Sequence, residues 1–180
     1  MQVFLKFFYR NRQFFYKQFK TKSLKIDYFY INMTIVKKII ATETYSVRLP
    51  VLRKGRPVES CHFEGDDLET TQHFGLYLGQ ELVGIISLFK KNNPIFQEKN
   101  QYQIRGMAVL ENHRKKDFGK ALIIHCEEEC TNQGLDLIWF NARIEAIGFY
   151  EKVGYQRIGT PFDITDVGKH VLMFKKNKNE

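Results

Sequence analysis

The sequence predicts an α/β fold of the α+β type, with one mixed sheet that carries helices on both faces. Its first half is rich in short strand patterns, and its second half alternates strand and helix patterns. Apolar residues from Phe118 to Cys130 recur at helical spacing, which indicates an amphipathic helix. Elements in this order pack as helices over a sheet. With 180 residues, of which 43% are hydrophobic and 27% charged, the chain can build a core of ordinary size.

Local signals define the elements of the first half. Gly79-Gln80 is a two-residue turn signal between apolar runs, so residues 73–78 and 82–90 are predicted to form a β-hairpin. The other assignments are a strand at 43–48, a short helix or turn at 49–55, a loop or second short helix at 56–71, a break at 92–94 and a long strand at 102–110.

Helix boundaries define the elements of the second half. A helix is predicted over residues 118–132 and ends before Gly134, because glycine readily adopts the left-handed backbone that closes a helix. A short helix over 142–153 is stopped in the same way by Gly154. Strands are predicted at 135–140, 155–159 and 170–175.

The net charge of +8 is concentrated in one segment. Residues 1–32 hold seven basic residues and one acidic residue, whereas the remainder holds 21 basic and 19 acidic residues. We therefore divide the chain into a basic, aromatic N-terminal extension at 1–32 and a nearly neutral domain at 33–180. No nucleic-acid recognition motif accompanies the charge, so no nucleic acid is expected as a partner.

The N-terminal extension leaves several interpretations open. It has no glycine, no proline and no uninterrupted apolar core, so it does not resemble a signal peptide. We favour a disordered tail or upstream sequence that is not normally translated. The alternatives are a helix that packs on the domain or a partner, and a basic amphipathic helix on a membrane surface. No apolar run approaches the roughly 18–20 residues that span a bilayer, so no membrane-spanning segment is predicted and the membrane-surface helix is the least favoured of these alternatives.

The three cysteines do not form a disulfide framework, because their number is odd and Cys61 lies far from Cys126 and Cys130. This usage predicts a reducing, cytoplasmic environment. Cys126 and Cys130 share a helical face near His125, but no second pair of ligands is spaced for zinc. We assign both to the core and expect no metal.

The stretch Met107–Leu122 combines the features of an anion site. A strand runs into a short basic loop, and the loop opens directly into a helix. The first N–H groups of a helix have no acceptor inside it, and the helix dipole makes that end positive. Gly119 lets backbone approach a ligand closely. Four side chains add positive charge: Arg114, Lys115, Lys116 and Lys120. Such a loop suits a pyrophosphate.

This loop resembles the signature of the GNAT superfamily of N-acetyltransferases. Arg114-Lys115-Lys116-Asp117-Phe118-Gly119 is similar to the pattern Arg/Gln-x-x-Gly-x-Gly/Ala, which in that family cradles the pyrophosphate of coenzyme A. It follows Met107-Ala108-Val109, where the family has a splayed strand whose backbone pairs with the pantetheine arm. The resemblance implies acetyl-CoA as cosubstrate and a mostly antiparallel central sheet of six to seven strands.

A second motif strengthens the resemblance. Asn141 matches an asparagine that often contacts the pantetheine, and Phe149-Tyr150-Glu151-Lys152 followed by Gly154-Tyr155 matches the family pattern FYEKxGF/Y. Both motifs stand in the family's order and spacing, and the resemblance covers roughly residues 42–175. Shorter pieces, among them Arg48–Arg53 and Val167–Met173, resemble an uncharacterised bacterial branch similar to ElaA-type proteins.

The resemblance implies a set of cofactor-binding residues. These are Met107, Ala108, Val109, Arg114, Lys115, Lys116, Asp117, Phe118, Gly119, Lys120, Asn141 and Tyr150. Asp117 departs from the signature, which usually has glycine there, and a carboxylate repels a pyrophosphate. Because Asp tolerates left-handed backbone and is a good N-cap, we expect its side chain to cap the helix and point away from the ligand. The alternative is weakened cofactor binding.

The resemblance also implies that a primary amine attacks the acetyl thioester directly. Tyr150 is the candidate that protonates the departing thiolate, since family members often place a tyrosine near that sulfur. A backbone N–H near Met107–Val109 would polarise the thioester carbonyl. No single general base is identified. The candidates are Glu64, Asp66, His73 and His170, of which we favour His170.

The acceptor amine is left open as a small molecule or a protein. The loops at 53–71 and 92–101 are expected to wall its site. Five acidic residues in the first loop predict attraction of a cationic amine: Glu59, Glu64, Asp66, Asp67 and Glu69. The alternative function is a non-catalytic acyl-CoA-binding or regulatory module, since one fold hosts several functions. A homodimer is also left open, because dimers are common in the family.

Overall fold

The computed structural model describes residues 34–165 and 167–177. The N-terminal extension at 1–32, and the boundary predicted before residue 33, lie outside these residues. The elements are β1 (Thr34–Ile39), α1 (Tyr45–Leu52), β2 (Gln72–Leu78), β3 (Glu81–Lys90), β4 (Gln101–Val109), α2 (Phe118–Asn132), β5 (Leu137–Arg143), α3 (Ile147–Lys152), β6 (Gln156–Ile164) and β7 (Gly168–Lys176). Short 3-10 helices lie at Ala41–Thr44, Val58–Cys61, Glu111–His113 and Ile144–Ala146.

The strands form one seven-stranded sheet in the order β1-β2-β3-β4-β5-β7-β6. β4 and β5 pair in parallel, whereas the pairs β2–β3, β3–β4, β5–β7 and β6–β7 are antiparallel. The parallel pair requires a crossover, and α2 provides it. The predicted mixed, mostly antiparallel sheet is confirmed.

Helices cover both faces of the sheet, as predicted. One buried cluster contains five residues of α2, namely Phe118, Leu122, Ile123, Cys126 and Cys130. A second cluster joins Val47 of α1 to Ile85 of β3 and Ala108 of β4. Successive residues of a strand point to opposite faces, so the two clusters lie on opposite sides of the sheet. We call them the α2 face and the α1 face. The assignment of Cys126 and Cys130 to the core is confirmed, since both are fully buried.

The strand predicted at residues 43–48 is wrong. Residues 41–44 form a 3-10 helix, and α1 begins at Tyr45 and contains Pro50. Tertiary packing overrides the low helix propensity here, because Val47 and Arg48 are fully buried. Glu43 starts the helical segment by accepting a hydrogen bond from the Ile40 N–H at 2.9 Å. The strand that opens the sheet is β1, which lies further toward the N-terminus.

Two other boundaries differ from the prediction. β5 extends to Arg143 because its pairing with β7 continues to Arg143 opposite His170, so the short helix starts later than residue 142. β6 extends to Ile164 because its pairing with β7 resumes at Phe162 after an irregularity. The hairpin at Gly79 and the bounds of α2 are confirmed. No helix in the described residues is long and apolar enough to cross a membrane.

Candidate active site

The sheet opens between β4 and β5. The two strands pair only over residues 101–103 and 137–139, with Gln103 opposite Trp139 as the last pair. Beyond it, β4 continues to Val109 and stays paired with β3, while β5 continues to Arg143 and stays paired with β7. The facing edges beyond Gln103 therefore carry no strand partner in the described part of the chain. Unpaired backbone groups at a strand edge can bind an extended ligand as a further strand would.

A β-bulge bends β4 along this opening. Ser87 pairs with Arg105 and Ile85 pairs with Ala108. The chain therefore advances three residues along β4 where it advances only two along β3. Gly106 has a φ of 60°, and a Cβ added to it would lie 2.8 Å from the Phe63 ring and 3.1 Å from Nε of Arg48. Both the backbone and the space therefore require glycine. A bulge redirects backbone groups, and this one redirects those of Gly106 and Met107 next to the opening.

The predicted anion loop lies between β4 and α2. The first hydrogen bond of the helix runs from the Ala121 N–H to the Asp117 carbonyl at 2.9 Å. The N–H groups of Phe118, Gly119 and Lys120 therefore have no acceptor inside the helix. The side chains of Arg114, Lys115 and Lys120 are exposed around this end, and that of Lys116 is half-buried. These residues form a positive, donor-rich helix end, which is the kind of site that binds phosphates in proteins.

The prediction that the Asp117 side chain caps α2 is wrong. Asp117 occupies the N-cap position with a φ of 57°, in the left-handed region, and its side chain makes no capping hydrogen bond. Residues whose side chains cap a helix usually have extended backbone, and the left-handed conformation removes that geometry. The other half of the expectation, left-handed backbone, is confirmed. The same φ explains why the signature has glycine at this position.

Gly119 is needed for packing inside the protein. A Cβ at this position would lie 3.0 Å from Cε of Met107 and 3.3 Å from the Phe149 ring. The first turn of α2 can therefore approach β4 and α3 only because the residue has no side chain. This packing brings the anion loop, the strand edge and α3 to one place on the α2 face.

Tyr150 lies at that place. Its ring packs on Phe140 and Phe149, with centroids 4.4 Å and 5.0 Å away. Its hydroxyl donates to the thioether sulfur of Met107 at 3.5 Å. Burial raises the pKa of Tyr150 to about 12. The phenol is therefore protonated at neutral pH and can donate its hydrogen to an atom in the opening.

Asn141 and His170 lie on the other side of the sheet from Tyr150. Ala142 and Val171 belong to the same buried cluster as Tyr150. Their strand neighbours Asn141 and His170 therefore face the α1 side. Asn141 is exposed on β5, beyond the last pair with β4. The structure thus brings Met107, Gly119 and Tyr150 together but does not bring His170 into contact with Tyr150.

His170 is buried and held in one orientation. Its Nδ1 lies 2.7 Å from the carbonyl oxygen of Gly168, which can only accept. Nδ1 therefore carries the hydrogen, and Nε2 is the nitrogen that can accept a proton. His170 pairs with Arg143 at the end of β5, which places it at the open end of the sheet.

Two of the other candidate bases belong to an internal network. Asp66 is fully buried and bonded to the Arg48 guanidinium at 2.5 Å and 3.1 Å. His73 contacts the Ser87 hydroxyl through Nδ1 at 2.8 Å and the Asp66 carbonyl through Nε2 at 2.9 Å. Arg48 also donates to Ser87 at 2.8 Å. Asp66 and His73 are therefore used in packing the α1 face beneath the β4 bulge, whereas the Glu64 side chain is exposed.

Sequence reasoning missed Arg48 and Arg105. Arg48 fills the space beside Gly106, and its guanidinium stacks 4.0 Å from the Phe63 ring. Arg105 precedes the bulge and donates to the Glu64 carbonyl at 3.1 Å. An arginine within the alternating strand pattern at 101–109 is a signal that could have indicated Arg105. No comparable signal in the sequence indicated Arg48, because its partner Asp66 lies in a loop whose position depends on the fold.

The seven-stranded sheet, opened between its central parallel strands beside a donor-rich helix start, is the fold of known acetyltransferases. It matches an acetyltransferase of Bacillus subtilis in complex with CoA, with a TM-score of 0.57 and 21% identity over 80% of this chain and 97% of that one. It also matches an aminoglycoside 6'-N-acetyltransferase complexed with coenzyme A, with a TM-score of 0.63 and 15% identity over 79% of this chain and 96% of that one.

Sequence comparison identifies the family. The model of the acetyltransferase (GNAT) family matches residues 40–155. The chain is also 36% identical over 143 residues to an uncharacterized N-acetyltransferase of Bacillus subtilis, a match that spans 79% of this chain and 96% of the relative. The chain belongs to the GNAT acetyltransferase family.

Proposed function

We propose that this protein transfers the acetyl group of acetyl-CoA to a primary amine by direct attack. The observation that carries the proposal is the opening between β4 and β5, with the unpaired N–H groups of α2 at one end. Coenzyme A has a pyrophosphate that fits the loop and an extended pantetheine arm that fits the edge of β4. The CoA-bound structures of two acetyltransferases with this fold support the same cofactor.

The β4 bulge is the proposed site of electrostatic activation. A backbone N–H of Gly106 or Met107, redirected by the bulge, would donate to the thioester carbonyl oxygen. Negative charge develops on that oxygen as the amine attacks, and a fixed donor stabilises it without reorganisation. Arg48 and Phe63 pack against the bulge and fill the space that a side chain at position 106 would need.

The amine nitrogen then forms a bond to the carbonyl carbon, and the bond from that carbon to sulfur breaks. The thiolate of coenzyme A leaves and takes a proton, for which Tyr150 is the proposed donor. Its phenol already donates to a sulfur atom, that of Met107. Its pKa of about 12 keeps it protonated, and burial raises the basicity of a developing thiolate in the same way.

The amine must lose one proton before it attacks, because an alkyl ammonium has a pKa of about 10. After the attack the nitrogen loses a second proton, which would restore the Tyr150 phenol that has protonated the thiolate. His170 is the proposed base, acting through Nε2, since Nδ1 is held by the Gly168 carbonyl. The protein is proposed to act in the cytoplasm, in keeping with three unpaired, buried cysteines in the described residues.

One observation favours the alternative, a non-catalytic acyl-CoA-binding module. The Asp117 carboxylate is exposed beside the proposed phosphate site and caps nothing. It would repel a pyrophosphate and weaken binding.

Turnover separates the two functions. The full-length chain is incubated with acetyl-CoA and a panel of primary amines, and both thiol release and the mass of the amine are followed. An N-acetylated amine formed in step with free thiol supports the transferase. Binding of acetyl-CoA without product from any amine would support the binding module instead.

A further inference from the structure

The α1 face of the opening carries guanidinium groups that lack carboxylate partners. The guanidinium carbons of Arg53 and Arg105 lie 5.1 Å and 4.9 Å from the centre of the Phe63 ring. Arg53 donates to the carbonyl groups of Ser60 and Leu52, and Arg105 donates to that of Glu64. In the described residues, the ion pairs include neither arginine.

Arg143 adds a third guanidinium group on the same side. It lies at the end of β5, opposite His170, and is exposed. No carboxylate in the described ranges lies within ion-pair distance of it. Burial and the charge of Arg56 lower the pKa of Arg53, and Arg143 lowers it further. Burial also lowers the pKa of Arg105, and the charges of Asp66 and Glu64 offset only part of this shift. Burial therefore makes the charged forms of Arg53 and Arg105 less favourable, and a bound anion would stabilise them.

The acidic residues expected to attract a cationic amine form no ion pair with Arg53 or Arg105 in the described part of the chain. Asp66 is fully buried and forms an ion pair with Arg48. Asp67 lies 3.8 Å from the exposed ring of His62. Glu64 is exposed, and only its backbone carbonyl bonds to Arg105. Arg48, which lies beside Gly106, is ion-paired with Asp66, whereas Arg105 directly precedes Gly106 and forms no ion pair in the described residues.

A second observation is a buried acceptor on this face that has no hydrogen-bond donor. Gln103 is 8% exposed, and its Oε1 has no hydrogen-bond partner. Gln103 lies opposite Phe89, whose ring is 5.0 Å from the Arg105 guanidinium, so both side chains share the α1 face. Gln103 also belongs to the last pair before β4 and β5 separate. Buried acceptors normally have a donor, and an amine N–H in the opening would provide one.

We propose that the acceptor is a small amine that also bears a carboxylate, bound by the guanidinium groups of Arg53 and Arg105. This rests on the proposed acetyl transfer, and it replaces the sequence-based expectation of an acceptor attracted by acidic residues. The planar guanidinium group matches a carboxylate and binds it through paired N–H groups. The amine of such an acceptor would lie between Gln103 and the thioester on β4.

Matched acceptors test the proposal. The full-length chain is assayed with acetyl-CoA and pairs of amines that differ only in a carboxylate: lysine and 1,5-diaminopentane, phenylalanine and 2-phenylethylamine. The amino-acid amides control for amine basicity. We expect kcat/KM to be at least about tenfold higher for the carboxylate member of each pair. This is the contribution expected of a hydrogen bond to a charged group, which the plain amine cannot make. Equal rates within the pairs, or faster reaction of the plain amines, would overturn the proposal.

Substitution of Arg105 tests the binding group itself. In Arg105→Gln, kcat/KM should fall about tenfold for the carboxylate member and less than about threefold for its partner, which removes the preference. Arg105→Lys should retain part of it. Arg157→Gln is the matched control, since Arg157 is exposed on β6 and pairs with Glu151 at 3.6 Å. An unchanged preference in Arg105→Gln would contradict the assignment.

Product binding gives a readout that does not depend on turnover. N-acetylphenylalanine and N-acetyl-2-phenylethylamine are titrated by calorimetry into the chain saturated with coenzyme A. The carboxylate product should bind about tenfold more tightly. Equal affinity, or no binding of the carboxylate product while coenzyme A binds, overturns this proposal alone. Failure of coenzyme A itself to bind overturns the proposed function and this inference together.

Discussion

The hydroxyl of Tyr150 lies 3.5 Å from the sulfur of Met107, and this contact joins α3 to β4 beside the opening of the sheet. The phenol is buried among Phe140 and Phe149 and points at the strand edge that would carry the pantetheine. A thioester sulfur lying along β4 could replace the Met107 sulfur as the acceptor of this hydrogen bond. The contact is therefore the basis for proposing Tyr150 as the residue that protonates the leaving group.

Replacing Tyr150 with phenylalanine tests this role. We expect kcat of Tyr150→Phe to fall about 100-fold, a typical contribution of a positioned proton donor. The acetyl-CoA Kd should change less than about threefold, because the ring packing remains. Tyr102→Phe is the matched control, since its hydroxyl bonds to Gln133 at 2.8 Å on the same face. A Tyr150→Phe rate equal to that of Tyr102→Phe would exclude Tyr150 as the proton donor.

Removing the Asp117 carboxylate should strengthen cofactor binding. Loss of one repulsion near a phosphate is worth about 1 kcal/mol in a solvated site, or roughly fivefold in Kd. Asp117→Asn removes the charge and keeps a side chain that tolerates left-handed backbone. Asp117→Gly also relieves the backbone and should raise the free energy of unfolding by about 1 kcal/mol. Calorimetry and denaturant unfolding measure the two effects, and weaker acetyl-CoA binding in both variants would contradict the account of the loop.

Gly106→Ala should be markedly destabilising. The new Cβ would lie 2.8 Å from the Phe63 ring, which is a steric overlap. The φ of 60° adds backbone strain, because residues with a side chain rarely adopt it. Gly79 has a φ of 62° and nothing within 4 Å, so Gly79→Ala isolates the cost of backbone strain, about 1 kcal/mol. We expect Gly106→Ala to cost at least about 2 kcal/mol more in urea unfolding. Equal losses for the two variants would mean that the bulge is not tightly packed.

The buried His73 should make stability depend on pH. Burial lowers its pKa below the ordinary value of 6.5, so the folded chain keeps the ring neutral while the unfolded chain binds a proton. Its contribution is therefore complete above pH 6.5 and is lost as the pH falls, by at most about 1.4 kcal/mol per unit. His73→Gln should be less stable at neutral pH but show a flatter profile between about pH 7 and 5. A slope in His73→Gln equal to that of the parent would refute the linkage.

Local signals predicted the parts of the fold that depend on neighbouring residues. The turn at Gly79 and the glycine after α2 require particular backbone conformations, and both have positive φ. The anion loop is likewise a continuous stretch of sequence. Each could be found because the residues that determine it are adjacent in the chain.

Contacts between distant segments escaped sequence reasoning. Residues 43–48 resembled a strand because Tyr45 and Val47 disfavour a helix, yet burial of Val47 and Arg48 decides the outcome. Arg48 meets Asp66 and Ser87 only in the folded chain. The guanidinium cluster around Phe63 also joins three separate segments, so no stretch of adjacent residues indicated it.

The binding of acetyl-CoA to the full-length chain tests the central claim most directly. Calorimetric titrations with acetyl-CoA and with S-acetylpantetheine, which lacks the phosphates, separate the loop from the strand edge. We predict micromolar affinity for acetyl-CoA and at least about tenfold weaker binding of S-acetylpantetheine, because only the former reaches the unpaired N–H groups of α2. A folded chain that binds neither ligand would contradict the claim that this opening is an acetyl-CoA site.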